Sequence, residues 1–216
     1  MEATPLVVVG AAGSGREVLD IIAACNEHGA SYEVAGVLDD RPAPENLERL
    51  AVRDVPYLGT IDDFLARTDR PVEHFALGVA FPHLRRRLAQ KMEAGGLHPV
   101  TLVHPQALLG SQVRLGEGTT IYGYAQLSTN VTAGRHAVVN MNAAVGHDSS
   151  LGDYAAVNPG ATVSGEAHLG DGVLLGGRAT VLQGLRVGDD AVVGAAALVT
   201  KDVPAGVTVK GVPGRW

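Results

Sequence analysis

The stretch Val139-Asn140-Met141-Asn142-Ala143-Ala144-Val145-Gly146-His147-Asp148-Ser149-Ser150-Leu151 sets an aliphatic residue at every sixth position. Followed outward, the same step runs from Val103 through Leu109, Leu115, Ile121, Leu127, Ala133, Val139, Val145, Leu151, Val157, Val163, Leu169, Leu175, Val181, Val187 and Val193 to Val199. Sixteen of these seventeen residues are Leu, Ile or Val. A second column, two residues earlier, is almost all small or aliphatic, from Ala107 and Val113 to Ala191 and Ala197. An amphipathic helix repeats at about 3.6 residues and a half-buried strand at about 2, so neither needs a period of six. Units with one large and one small inward residue describe a coiled parallel sheet, a β-helix of hexapeptide repeats. No coil hides its core alone, so stability accumulates as coils stack about 4.8 Å apart. Glycine is frequent just after the main column, as at Gly110, Gly134, Gly146 and Gly170, where it is expected to supply the positive φ of tight corners.

Upstream of the repeat the pattern changes. Leu6-Val7-Val8-Val9 reads as a buried parallel strand and runs into Gly10-Ala11-Ala12-Gly13-Ser14-Gly15. A helix is expected over Arg16–His28, a strand over Val34–Leu38 ending in Asp39-Asp40, and a short helix over Ile61–Arg67. A third strand, Phe75–Leu77, ends at Gly78, and a basic helix runs from Pro82 to about Ala94. Strand, glycine loop, helix, strand is half of a Rossmann-type unit. The spacing is G-x-x-G-x-G and not the dinucleotide fingerprint, so a nicotinamide cofactor is not indicated. The loop still offers bare amides at a helix N-terminus, which suit a phosphate. Asp39 and Asp40 end the second strand at the same crevice, where carboxylates accept from a ribose or base. The competing reading is a tight turn with two solvated acids. Arg85-Arg86-Arg87 reads as a solvated helix face, with phosphate contact as the alternative.

The chain of 216 residues is 46% apolar and carries a net charge of −6, which argues against a nucleic-acid partner. A single cysteine, Cys25, excludes an internal disulfide framework and fits a reducing compartment. Its position in the first helix fits a buried apolar role rather than a nucleophilic one. No apolar run reaches a membrane span, and Met1–Pro5 lacks a basic leader, so a cytoplasmic protein is expected.

Four histidines lie in the repeat or at its edge: His104, His136, His147 and His168. His147 stands two residues past Val145, near a corner and facing out, with Asp148 beside it and Asn140 around the preceding corner. A surface histidine is the bland reading; an adjacent carboxylate and a nearby amide favour an oriented base.

The hexads, His-Asp-x-x-x-Gly-Asp at 147–153, Asn158-Pro159-Gly160 and the ending Val199-Thr200-Lys201-Asp202-Val203-Pro204 to Gly211-Val212-Pro213-Gly214 resemble the left-handed β-helix acyltransferases. The glycine unit at 10–15 with Leu38-Asp39-Asp40 resembles the PglD/NeuD-type sugar acyltransferases among them. The resemblance implies an α/β Rossmann-like nucleotide-sugar-binding domain over 1–98, then a left-handed parallel β-helix acyltransferase domain over 99–216, with the boundary between Gly96 and His104. It implies a homotrimer with acetyl-CoA in the groove between neighbouring prisms. It implies His147 as catalytic base, with Asp148 and Asn140 as orienting partners, and a Gly165 amide that meets the thioester carbonyl. Gly177 and Ala195 would line the pantetheine arm, and Lys201 or Lys210 would meet the CoA phosphates. Gly13 and Ser14 would hold the diphosphate of a sugar nucleotide, and Asp39 its base, with Asp40, Arg41 and Gly78 nearby. Ser14 and Val79 stand where members carry a histidine and an asparagine. Ala156 replaces a second active-site histidine, so His147 is expected to act without one.

The expected reaction is N-acetylation of a nucleotide-linked amino sugar by direct transfer, with no metal. A sugar O-acetyltransferase would use the same base. A zinc hydrolase on the same prism needs three converging histidines, which the spacing does not supply. A non-catalytic binding prism is the remaining alternative.

Overall fold

The computed structural model describes residues 3–70 and 72–216. Its first unit alternates strands and helices: β1 (Thr4–Val9), α1 (Gly13–Glu27), β2 (Tyr32–Leu38), α2 (Pro44–Ala51), α3 (Ile61–Leu65), β3 (His74–Leu77), α4 (Pro82–Ala94) and β4 (His98–Pro99). The strands form one parallel sheet in the order β2-β1-β3-β4. β1 is central, which is why Leu6–Val9 reads as a continuous apolar run: all four are at most 1% exposed. α1 begins at Gly13, three residues before the expected start, so the glycine loop supplies its first turn. The short helix α2, opened by Pro44 at its first turn, carries only one buried apolar residue, Leu50, too thin a stripe for periodicity to reveal.

After β4 the chain enters the prism. Every residue of the aliphatic column from Val103 to Val199 is the second residue of a two-residue strand. Strands pair in parallel with the strand eighteen residues on, as in Val138↔Ala156, Ala144↔Thr162 and Ser150↔His168. One coil is therefore three hexads, and the coils build three flat faces of seven, six and five strands. The first face carries Thr120, Val138 and Ala156 outward, the second Gln126, Ala144 and Thr162, the third Thr132, Ser150 and His168. Both inward columns meet on the axis, where Val139, Ala143, Ala155 and Val157 are 0% exposed.

The corners correct one sequence expectation. Positive φ recurs every sixth residue, but three positions after each aliphatic, at Tyr124, Asn130, His136, Asn142, Asp148 and Tyr154 among others. Most of these residues are not glycine. The glycines directly after the column answer a different demand. A Cβ on Gly146 would meet the backbone of Ser164 and Gly165, and one on Gly188 would lie 2.5 Å from the Ala205 nitrogen. They are bare because the next coil lies against them.

The first unit covers one prism edge and part of one face. α1 packs with Leu102, Tyr122 and Val138 of the first face. α4 lies along the edge between the third and first faces. There Arg85, expected on a solvated surface or at a phosphate, is instead 1% exposed. Its guanidinium donates to the carbonyls of Leu77, Val79 and His136, tying the loop after β3 to the prism. Burial draws it down to about 10, which leaves it a cation at neutral pH. Beside it His136 is sealed against Glu93 and stacked on Tyr154, whose other neighbour is Arg86. Cys25 is buried where expected, its Sγ 3.3 Å from the Val103 carbonyl oxygen. Two prism edges remain open, one on either side of the second face.

Candidate active site

The first open edge, between the second and third faces, carries His147. Coil stacking sets Thr129, His147 and Gly165 in one column eighteen residues apart. His147 is 47% exposed and its Nδ1 lies 2.8 Å from Asp148 Oδ2. A carboxylate only accepts, so Nδ1 carries the proton and Nε2 presents a lone pair. Asp148 occupies the left-handed corner position, with φ 59°, a conformation aspartate tolerates better than most residues. Its other oxygen accepts from Asn130 Nδ2 at 2.8 Å. The Asn130 amide and the His147 ring together hold the Asp148 carboxyl below the usual carboxylate range. Nε2 faces Gly165: a Cβ there would lie 2.6 Å from it. The Gly165 N–H has no hydrogen-bond partner among the described residues, so the residue that Nε2 faces also carries a free donor.

Asn130 escaped sequence reasoning, although the signal existed. It precedes Asp148 by one full coil of eighteen, which a six-residue step does not single out. Asn140 stands on the other open edge, between the first and second faces, and its Oδ1 accepts the Met141 N–H at 2.7 Å. It does not touch His147 within one chain. Met141, Pro159, Gly177 and Ala195 form a column on that same edge, one coil apart. A Cβ on Gly177 would meet nothing closer than the Pro159 carbonyl oxygen at 3.5 Å, so the edge is open there. Lys201 belongs to the His147 edge, where its ammonium covers the Trp216 ring at 4.5 Å, and Lys210 follows Thr208–Val209 of the first face. The expected acetyl-CoA residues thus divide between two edges. The outward residues of the face between them, Leu108, Gln126, Ala144, Thr162, Thr180 and Leu198, include no charge.

The remaining expected residues come together elsewhere. Gly13, Ser14, Asp39, Asp40, Arg41 and Gly78 all line one cavity of about 730 Å³ at the C-terminal ends of β1, β2 and β3. That is where open α/β sheets bind ligands. α1 has no side-chain cap, so its first amides stay free for an anion, and Arg41 and Arg87 add positive charge to the cavity wall. Gly10, Gly15 and Gly78 are packed backbone against backbone, so a side chain on Gly15 would strike the Gly10 carbonyl. Gly78 serves packing as well as the cavity wall. Asp39 Oδ2 accepts from the Ala11 amide and Oδ1 from Arg41, both within 2.9 Å, and Asp40 takes the Ile61 amide. These carboxylates hold the crevice in shape and keep spare lone pairs toward it.

Among the described residues, no group of three His, Cys, Asp or Glu side chains could hold a metal ion, and no helix is long and apolar enough to cross a membrane. His168, on the third face, is occupied by Ser150 at 2.8 Å.

Residues 5–92 match the PglD N-terminal domain family. No curated protein matches the chain in sequence. Among solved structures, the acetyltransferase domain of PglB from Neisseria gonorrhoeae FA1090 in complex with acetyl coenzyme A is similar, with a TM-score of 0.86 and 28% identity over 99% of both chains. WeeI from Acinetobacter baumannii AYE is similar with a TM-score of 0.83 and 26% identity over 99% of both. PerB from Caulobacter crescentus in complex with CoA and GDP-perosamine is similar with a TM-score of 0.68 and 26% identity, over 99% of this chain and 97% of that one.

Proposed function

As the chain is an acyltransferase of the left-handed β-helix superfamily with a PglD-type N-terminal domain, we propose that it moves an acetyl group from acetyl-CoA to the amino group of a nucleotide-linked amino sugar. The observation that carries the reading is the imidazole of His147, oriented through Nδ1 by Asp148, with its free nitrogen against the bare Gly165. His147 Nε2 takes a proton from the sugar amine, whose nitrogen attacks the thioester carbonyl carbon. The new C–N bond forms, and the resulting oxyanion is met by the Gly165 N–H. The C–S bond then breaks, and the leaving thiolate recovers the proton from the imidazolium. Burial pushes the Cys25 thiol up, away from the thiolate form, which fits direct transfer.

The division of the site residues between two edges supports a complete site built from two copies. If the uncharged second face turns toward a symmetry axis, the His147 edge of one copy meets the Asn140 edge of the next. A ring of three closes this way, with three equivalent sites. Each site then holds His147, Asp148 and Gly165 from one copy, and Asn140, Gly177 and Ala195 from its neighbour. The glycine-loop cavity supplies the sugar nucleotide, its diphosphate on the Gly13 and Ser14 amides.

The test is CoA release from acetyl-CoA with UDP-, dTDP- and GDP-linked amino sugars, beside the same sugars carrying a hydroxyl. Release with an amine acceptor that is lost in His147→Ala, while acetyl-CoA still stabilises the variant thermally, is the expected result. Full turnover in His147→Ala removes the base. Turnover of hydroxyl acceptors alone makes the protein an O-acetyltransferase.

A further inference from the structure

A second, smaller cavity lies between α1 and the foot of the Asn140 edge. Its volume is about 170 Å³ against about 730 Å³ for the glycine-loop cavity, room for one small ring and not for a nucleotide. Glu17, Asp20, His104, Tyr122, Tyr124 and Met141 line it. Tyr122 is 6% exposed, yet its hydroxyl has no hydrogen-bond partner among the described residues. The hydroxyl oxygen itself is not sealed off and opens onto the cavity, so it is free to bond a polar ligand there. His104 Nδ1 accepts from the Gln106 amide at 3.1 Å, which fixes the tautomer and leaves Nε2–H as a donor. Asp20 is engaged by Arg53 at 2.7 Å. Glu17 has no ion pair or hydrogen bond of its side chain among the described residues, which leaves one unpaired carboxylate beside two tyrosine rings.

Position gives the cavity its meaning. Glu17 follows Ser14 by three residues, about 4.5 Å along the helix axis. Met141 neighbours Asn140 and lies two coils, about 10 Å, below Gly177 on the same edge. The cavity therefore stands between the amides offered to a diphosphate and the edge offered to an acetyl donor. The part of a nucleotide sugar that falls there is the sugar.

We propose that this cavity is the acceptor-sugar subsite, and that Glu17 selects an amine over a hydroxyl by pairing with the sugar ammonium. Tyr122 and the His104 N–H bond the ring hydroxyls, and the tyrosine faces favour a cationic ring substituent. Neither Glu17 nor Tyr122 was singled out by the repeat or by the glycine loop, and His104 stood out only as a histidine at the edge of the repeat. Burial, followed by the nearby Asp20 charge, pushes the Glu17 carboxyl up. An incoming cation relieves both effects; the bound ammonium then gives its extra proton to solvent, and the free amine so formed is the species that attacks as His147 Nε2 takes the next proton. The inference rests on the acetyl transfer proposed above.

Steady-state kinetics on Glu17→Gln and Tyr122→Phe test it, with the UDP-, dTDP- or GDP-linked amino sugar that the unmodified protein turns over fastest. Glu17→Gln is expected to raise the amino-sugar KM about tenfold or more, the loss of a charge-assisted bond. Its kcat stays within about threefold, and affinities for the matching nucleoside diphosphate and for acetyl-CoA are unchanged. Tyr122→Phe raises the same KM about threefold or more, the loss of one neutral hydrogen bond. An amino-sugar KM within twofold of the parent in both variants overturns the subsite. So does a parallel loss of nucleoside diphosphate affinity, or equal turnover of amine and hydroxyl sugars by the parent protein. Full turnover in His147→Ala alongside the raised KM in Glu17→Gln keeps the subsite and removes only the base. Release of CoA by no amino sugar in the parent removes both.

Discussion

His136 and His147 stand eleven residues apart on the same repeat, and each has a ring nitrogen 2.8 Å from a carboxylate oxygen. Their fates differ because different things lie outside the prism at their corners. At the covered edge, α4 brings Glu93 onto His136 Nε2, while Tyr154 and Phe75 sandwich the ring. The other nitrogen, Nδ1, is buried with no partner. At the open edge none of the described residues covers His147, and its partner is the next residue. The first pair ties α4 to the prism; the second leaves a base facing free space. A histidine–carboxylate pair is thus not a catalytic signature by itself, and access to the second nitrogen decides.

The comparison breaks most sharply on His147→Ala. Turnover should fall about 10²–10⁴-fold, the usual reach of general acid–base catalysis, with melting unchanged; an initial-rate assay of CoA release measures it. Next comes Gly165→Ala. Its Cβ would lie 2.6 Å from His147 Nε2, so the ring must turn away. A displacement near 1 Å costs about 10²-fold, so kcat should drop that far. Asn130→Ala removes the amide that steadies Asp148 and should cost about tenfold in kcat, in line with loss of a supporting shell. Its mark is an Asp148 carboxyl that titrates at higher pH, visible by carboxyl NMR, because the bond that lowers it is gone.

The smallest expected effect on activity belongs to the covered histidine. His136→Gln should leave kcat within about twofold and lower stability by about 1–3 kcal/mol, through the lost Glu93 bond and stacking. It should also flatten a pH slope. Burial holds the folded His136 below the ordinary histidine range, so the unfolded chain binds a proton that the folded chain resists. The stability contribution is complete above about pH 6.5 and is lost as pH falls toward the folded value. Melting curves between pH 7 and pH 5 should therefore decline more steeply for the parent than for His136→Gln.

The period of six exposed the prism because core packing repeats with the coil; Val139, Val145 and Leu151 could be assigned inward from sequence alone. The same period is blind to what lies outside. Arg85 reads as a surface cation in its own helix, and only docking against the His136 carbonyl buries it. His147 reads as outward, and His136 likewise points away from the prism axis, yet it is 0% exposed. Asn130 required the longer period of three hexads, which becomes visible only once the number of faces is known. The glycine loop with Asp39 was legible as a crevice because strand ends and helix starts converge there by topology. The Glu17 cavity was not, since it joins residues from a helix and three successive coils with no motif in common.

The claim that each site is shared between copies is tested most directly by mixing two inactive variants. His147→Ala disables one edge; Gly177→Trp blocks the other, at a position with open space beside it. Co-expressed and purified together, they should regain about a quarter of the parent's activity, since random assembly pairs intact edges at that frequency. Mixed protein no more active than either variant alone would contradict the account and place the whole site within one chain.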